Sequence, residues 1–270
     1  MAGCLPLSTV VDNTGPQAKI AGQVGGIILP HHLLVSAYID KFYAELAATN
    51  SYDRIVILSP NHFGYGFNFV QTNTVVADGL TADLPWVEDL DKAGTARIEP
   101  KFFGREHGVY VHYPFIKKYF PAAKIVPIII KKDTPCEKVD SLVTELLQLE
   151  KSDPGKTLYL ASLDFSHYSS EKLSIANDNR TVEWLKTPLS ADLCTQSRDM
   201  SVSLDNRVAD AVAIDSAGVI YAMRKLMDER LMDGKTPLQF HFWARTSAAA
   251  IISGLRDADN TSHIFGYYSS

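Results

Sequence analysis

Three short apolar runs, each stopping at histidine or aspartate, constrain this chain more than any other feature. Val24-Gly25-Gly26-Ile27-Ile28-Leu29-Pro30 leads into His31-His32. Arg54-Ile55-Val56-Ile57-Leu58-Ser59-Pro60-Asn61 leads into His62, and Thr157-Leu158-Tyr159-Leu160-Ala161-Ser162-Leu163 leads into Asp164-Phe165-Ser166-His167. A short continuous apolar run bounded by turn residues reads as a buried strand more readily than as a helix. Strands buried on both faces belong to parallel sheets covered by helices. In open sheets of that kind, ligands bind outside the carboxyl ends of the strands. The chain is therefore expected to bring imidazoles and a carboxylate to one edge of one sheet.

The text between the runs fits that architecture. Leu34, Tyr38, Phe42 and Leu46 recur every four positions, an amphipathic helix that joins the first two strands into a β-α-β unit with a right-handed crossover. Further helical text covers Glu106 to Phe120, with Pro121 as its stop signal, then Glu137–Leu149, Ile175–Leu185 and Arg207–Met232. Lys124–Ile130 is another apolar run, and Pro237–Thr246 and Ser262–Tyr268 are strand-like. Residues 77–104 read as short irregular pieces. No repeat or linker divides the chain. The expectation is an N-terminal arm at 1–22 and a single three-layer α/β/α domain over 23–270. Its central sheet is mostly parallel, with antiparallel strands from the insertion after His62 and from the C-terminus.

A net charge of −5 with no basic stripe argues against nucleic acid or an anionic membrane as partner. No apolar stretch approaches the ~20 residues that span a bilayer. The N-terminus lacks the basic start and apolar core of a secretory signal, so a cytoplasmic protein is expected. Cys4, Cys136 and Cys194 are odd in number and form no CxxC, which predicts no disulfide framework.

His31 and His62 occupy corresponding places on two strands, each just after a proline-bearing turn that ends the strand and aims the next side chain. Two neutral imidazoles held in this way suit iron, copper, zinc or nickel. His32 reads as a structural neighbour. Asp164 and His167 can form an oriented pair in which the carboxylate sets the imidazole tautomer for general acid–base work. Alternatively, Asp164 or Ser166 caps the following helix. The stretch Glu106-His107-Gly108-Val109-Tyr110-Val111-His112-Tyr113-Pro114 supplies Glu106, His107 and His112 as candidate substrate-binding groups. Five positions along a straight helix turn His107 and His112 about 140° apart, so Glu106 and His107 are the pair expected to face the site. Asp215 reads as a helix cap, and His241 and His263 as packed histidines. There is no GxGxxG, Walker loop, GxSxG or HExxH.

Taken in order, Pro30-His31, Pro60-Asn61-His62, Glu106-His107 through Pro114, Ser162-Leu163-Asp164-Phe165-Ser166-His167 and the closing Gly266-Tyr267-Tyr268-Ser269 resemble the motifs of the Memo family, also called AmmeMemoRadiSam system protein B. The resemblance runs from about residue 24 to the C-terminus. It implies a fold similar to that of the class III extradiol ring-cleaving dioxygenases, whose non-haem Fe(II) is held by two histidines and a carboxylate. His31 and His62 would then be metal ligands, with Fe(II) the first expectation and Cu or Zn the others. His167, beside Asp164, would be the acid–base histidine of an oxidoreductase acting on a small molecule. The family resemblance also implies a second reading, a non-catalytic protein binding a peptide or signalling partner; a third reading is a Zn-dependent hydrolase with metal-bound water as nucleophile. It further implies AMMECR-type and radical SAM partners. Animal members place a cysteine ligand near the C-terminal strand. Here that stretch reads Gly254-Leu255-Arg256-Asp257 and no cysteine follows Cys194, so Asp257 or Asp259 is the expected substitute. Gly108 and Tyr110 also depart from the family's serine and second glutamate.

Overall fold

A computed structural model describes residues 15–16, 19–188, 192–205, 211–232 and 236–270. Most of the arm expected at 1–22 lies outside them. The strands are β1 (Val24–Leu29), β2 (Arg54–Pro60), β3 (Val70–Thr72), β4 (Thr81–Ala82), β5 (Arg97–Ile98), β6 (Lys124–Ile130), β7 (Thr157–Ser162), β8 (Leu231–Met232), β9 (Thr236–Pro237), β10 (Gln239–Ser247) and β11 (Ser262–Ser269). The main sheet runs β10-β11-β1-β7-β2-β6-β3-β5, with β4 also paired to β6. Strands β1, β7, β2 and β6 are mutually parallel, whereas β11 and β10 at one end and β3 at the other join antiparallel. The sheet is thus mixed and mostly parallel, and the antiparallel strands come from the two regions expected to supply them.

The helices are α1 (Ser36–Thr49), α2 (Leu84–Lys92), α3 (Pro100–Phe103), α4 (His107–Tyr110), α5 (Tyr113–Tyr119), α6 (Cys136–Ser152), α7 (Glu171–Lys186), α8 (Leu193–Ser201), α9 (Ala217–Glu229) and α10 (Ala248–Ile251). Side chains alternate across a strand, so each apolar run feeds two cores. Ile28, Val56, Leu58, Val126, Ile128 and Tyr159 pack on one face with Trp86 of α2, Leu142 and Leu146 of α6 and Ile220 and Met223 of α9. Ile27, Leu29, Ile55, Ile57, Leu158 and Leu160 pack on the other with Ile39, Phe42 and Leu46 of α1 and Ile116 of α5. Every residue of β1, β2 and β7 is buried, which is why these strands read as unbroken apolar text rather than as alternation. Gly26 permits the close approach of α9, because a Cβ there would fall on the side chains of Met223 and Met227.

Four local expectations need correction. The helix expected over Glu106 to Phe120 is two, α4 and α5, broken at Val111–His112 where Pro114 opens the second. The helix expected from Arg207 begins at Ala217 and ends at Glu229, where β8 takes over; residues 206–210 lie outside the described ones. Residues 77–104 hold a full helix, α2, and two short strands. Cys136 and Cys194 form a disulfide with Cα atoms 6.2 Å apart, although no disulfide was expected. A sequence separation of 58 hides the pairing from local spacing; α8 and α6 both pack on α9, and this brings the two cysteines together.

Candidate metal centre

Strands β1, β7 and β2 lie side by side and end at one level, with Leu29 of β1 opposite Ser162 of β7 and Leu58 of β2 opposite Ala161. The residues that follow each strand therefore emerge at the same edge. The ring centroids of His31 and His62 are 4.8 Å apart. A third imidazole, His107 from the start of α4, lies 5.1 Å from His31 and 4.2 Å from His62. One ring nitrogen from each of the three falls within 4.8 Å of the others, a grouping that could hold a metal ion. His31 is buried, His62 is exposed and His107 is half-buried, so the group opens outward on the side of His62 and His107. Gly108 lets α4 sit this close, because a Cβ there would meet Ser59 Oγ at the end of β2.

Carboxylates flank the imidazoles. Glu106, the N-cap of α4, accepts from the Gly108 N–H at 3.1 Å, from the His62 backbone N–H at 2.9 Å and from His62 Nδ1 at 2.6 Å. A carboxylate only accepts, so His62 Nδ1 carries a proton and Nε2 is the end that faces the site. Asp215 Oδ2 lies 3.5 Å from His31 Nε2 and 3.7 Å from His62 Nε2, and it accepts the Asp164 N–H at 3.1 Å. Asp215 therefore belongs to the site; the cap of α9 is Ser216, whose hydroxyl accepts from the Val219 N–H. Asp164 Oδ2 lies 3.5 Å from His31 Nε2.

Burial opposes a charge on His62, but hydrogen bonds to Asp215 and Glu106 and the charges of both outweigh it and raise its pKa to about 10. Without a cation, this ring is an imidazolium held between two carboxylates. Burial, reinforced by the positive charges of His62 and His31, lowers the pKa of His107. Burial also disfavours the Asp164 carboxylate, yet the charge of His31 and the hydrogen bond from His263 hold it well below the usual carboxylate range.

The remaining sequence candidates fall in three places. His263 Nδ1 donates to Asp164 Oδ1 at 3.2 Å, so the partner of Asp164 is His263 and not His167 as expected. This arises because β11 runs antiparallel to β1, which puts its beginning at the site edge. His167 is half-buried after β7, and its Nδ1 has no hydrogen-bond partner. His112, expected to bind substrate, is fully buried behind His31 and bonds Ser162 and Tyr43; the break between α4 and α5 turns it inward. Asp257 and Asp259 lie in an exposed turn where Asp259 pairs with Arg256, so neither joins the imidazoles. Sequence reading missed Asp215, His263, Ser162 and Tyr43. Only Asp215 left a local signal, an acidic residue beside a serine at a helix start.

Among the described residues, no helix is long and apolar enough to cross a membrane. The model of the Memo-like protein family matches residues 6–240. A MEMO1 family protein of Pyrobaculum aerophilum is 27% identical over 210 residues, covering 70% of this chain and 71% of its own. One from Pyrobaculum arsenaticum is 27% identical over 182 residues, covering 62% of this chain and 63% of its own. The crystal structure of uncharacterized protein JW3007 from Escherichia coli K12 superposes with a TM-score of 0.57 at 10% identity, over 92% of this chain and 100% of that one, a likeness of fold. With most of its length matched by the family model, this chain belongs to the Memo-like protein family.

Proposed function

We propose that this protein is a metal-dependent enzyme whose ion is held by His31, His62 and His107, with Asp164 and Asp215 beside them. The observation that carries the reading is three imidazole nitrogens within 4.8 Å of one another at the carboxyl edge of a parallel sheet. Asp215 Oδ1 is buried without a hydrogen-bond partner, as expected of a carboxylate whose partner is a cation. Neutral imidazoles and carboxylates suit Fe(II), Zn and Cu. Such an ion supplies Lewis acidity and, where it is iron, redox chemistry with O₂.

Each neighbour has a separate task. Glu106 keeps the proton of His62 on Nδ1, which orients the ring and raises its basicity. Asp164 and Asp215 offset positive charge in the site. His167, half-buried and with a buried ring nitrogen that has no hydrogen-bond partner, is the group to take or return a ligand's proton. Phe63, whose ring lies 6.3 Å from that of His107, and the exposed Tyr65 stacked on it border the open side, where a small molecule or peptide enters.

The first reading is an oxidoreductase of dioxygenase type containing Fe(II). The second is a zinc hydrolase, favoured by the third imidazole, since catalytic zinc often rests on three protein ligands. AMMECR-type and radical SAM proteins are proposed as partners on the family resemblance alone. Metal analysis of anaerobically purified protein, followed by O₂ uptake with catechol-type substrates, separates the readings. Stoichiometric iron and O₂ consumption are expected, with both lost in the His31→Ala, His62→Ala double variant. Zinc without redox activity moves the assignment to the hydrolase. A double variant that retains its metal overturns the site.

A further inference from the structure

His62 has a carboxylate behind it, whereas His31 has a line of neutral groups. His31 Nδ1 lies 3.1 Å from Ser162 Oγ, Ser162 Oγ lies 3.2 Å from His112 Nε2, and His112 Nδ1 lies 3.2 Å from the Tyr43 hydroxyl. The four residues come from four different places: the loop after β1, the last residue of β7, the break between α4 and α5, and the middle of α1. Ser162, His112 and Tyr43 are fully buried, and His31 is nearly so. Burial brings the pKa of His112 down to about 3, so its ring is neutral, with one N–H and one lone pair. A serine hydroxyl likewise has one proton to give. The line therefore carries its protons in one sense at a time.

We propose that Ser162, His112 and Tyr43 are positioning residues that fix the ring rotation and tautomer of His31 for a cation at Nε2. This rests on the metal reading above. With a cation at Nε2, the His31 proton is on Nδ1 and donates to Ser162 Oγ. The Ser162 hydroxyl then donates to His112 Nε2, and the His112 Nδ1–H donates to the Tyr43 oxygen. In the opposite sense Tyr43 donates to His112, His112 to Ser162 and Ser162 to His31 Nδ1. The neutral His31 ring then carries its proton on Nε2, toward Asp164 and Asp215, and offers no lone pair to a cation. Only the first sense leaves Nε2 open. A buried line with no water-exposed member holds that order more firmly than a solvated hydroxyl would.

Zn²⁺ affinity, measured by competition with a chromophoric chelator, and the visible spectrum of the Co²⁺-loaded protein test this. Ser162→Ala and His112→Phe each cut the line. Each is expected to weaken Zn²⁺ binding by about 10- to 100-fold and to alter the Co²⁺ spectrum, the range seen when the partner of a ligating histidine is removed. His112→Gln, whose amide oxygen accepts from Ser162, is expected to recover part of the loss. The Ser162→Ala, His112→Phe double variant is expected to bind no more weakly than either single one, because both break the same line. Tyr43→Phe trims only the far hydroxyl, and a loss of a few-fold is expected even if the bulkier changes misfold. Ser162→Ala and Tyr43→Phe proteins that match wild type in both affinity and spectrum overturn the line and leave the metal reading standing. A wild-type protein that takes up neither ion overturns both.

Discussion

The two edges of the central sheet treat buried charge in opposite ways. At the amino edge, Arg54 lies with its guanidinium 3.8 Å from the centre of the Trp86 ring and donates to Asp83 and Asp153. Arg230 donates to Glu150 and to the carbonyls of Gly25 and Thr157. A cavity of about 870 Å³ opens beside Arg230, lined by Asn50, Ser51, Tyr52 and Lys156, yet the buried cation at its wall already has its partners. At that edge one buried carboxylate oxygen, Asp83 Oδ1, lacks a hydrogen-bond partner, whereas at the carboxyl edge three buried atoms lack one, His167 Nδ1, Asp215 Oδ1 and His263 Nε2. Buried polar atoms are nearly always hydrogen-bonded, so three unpaired atoms around one cluster of imidazoles mark a place built for something else. The cavity lies at one edge, and the buried polar atoms left without partners gather mainly at the other.

This contrast is open to experiment. The largest effect belongs to the amino edge. Arg54→Ala leaves Asp83 as a buried carboxylate without its cation, and a loss of about 3–5 kcal/mol in a urea unfolding experiment is expected. A loss under about 1 kcal/mol would show that this edge does not depend on its ion pair. Next comes His107→Ala at the carboxyl edge. Zn²⁺ affinity should fall by about 100-fold, roughly 2.7 kcal/mol. Stability of the metal-free protein should fall by no more than about 1 kcal/mol, because His107 is half-buried and lies outside both cores. An unfolding loss with unchanged affinity would reverse the assignment.

The pH dependence is smaller and its sign is fixed. The folded-state pKa of His62 lies above its ordinary value of 6.5. Its imidazolium therefore stabilises the metal-free fold fully below about pH 6.5, and the contribution disappears as pH rises through about 10. A cation on Nε2 displaces that proton, so Zn²⁺ affinity is expected to rise about tenfold per pH unit between pH 7 and 9. A flat profile would mean that the Glu106 and Asp215 carboxylates do not hold a proton on the ring. The smallest effect is expected of Asp259→Asn, within about 0.5 kcal/mol in stability and without change in Zn²⁺ affinity, because its partner Arg256 is exposed.

Legibility in the sequence followed the range of the interaction. Strands β1, β2 and β7 and the residues just beyond them were readable because an apolar run and its stop are local, and register then aligns their ends. His107 was nominated on the geometry of one straight helix, but the break between α4 and α5 is what sets it apart from His112. Asp215 and His263 were not readable, since both depend on where distant elements dock. An antiparallel last strand presents its start to the edge where parallel neighbours present their ends. The nomination of Asp257 and Asp259 failed for the same reason. They sit in the turn before β11, and that turn projects into solvent while the strand's first residues reach Asp164. Ser162 was hidden inside a strand, where position in the run says nothing of a hydrogen bond beyond it.

The reversed direction of β11 also has a practical consequence. Ser269 pairs with Val24 at the first residue of β1, so residues 269–270 leave the sheet on the side away from the imidazoles. The intervening strand is about 20 Å long at the usual rise per residue. An affinity tag or fluorescent protein fused after Ser270 would project from that remote side, and a purification handle there would spare the histidine cluster from a competing chelator.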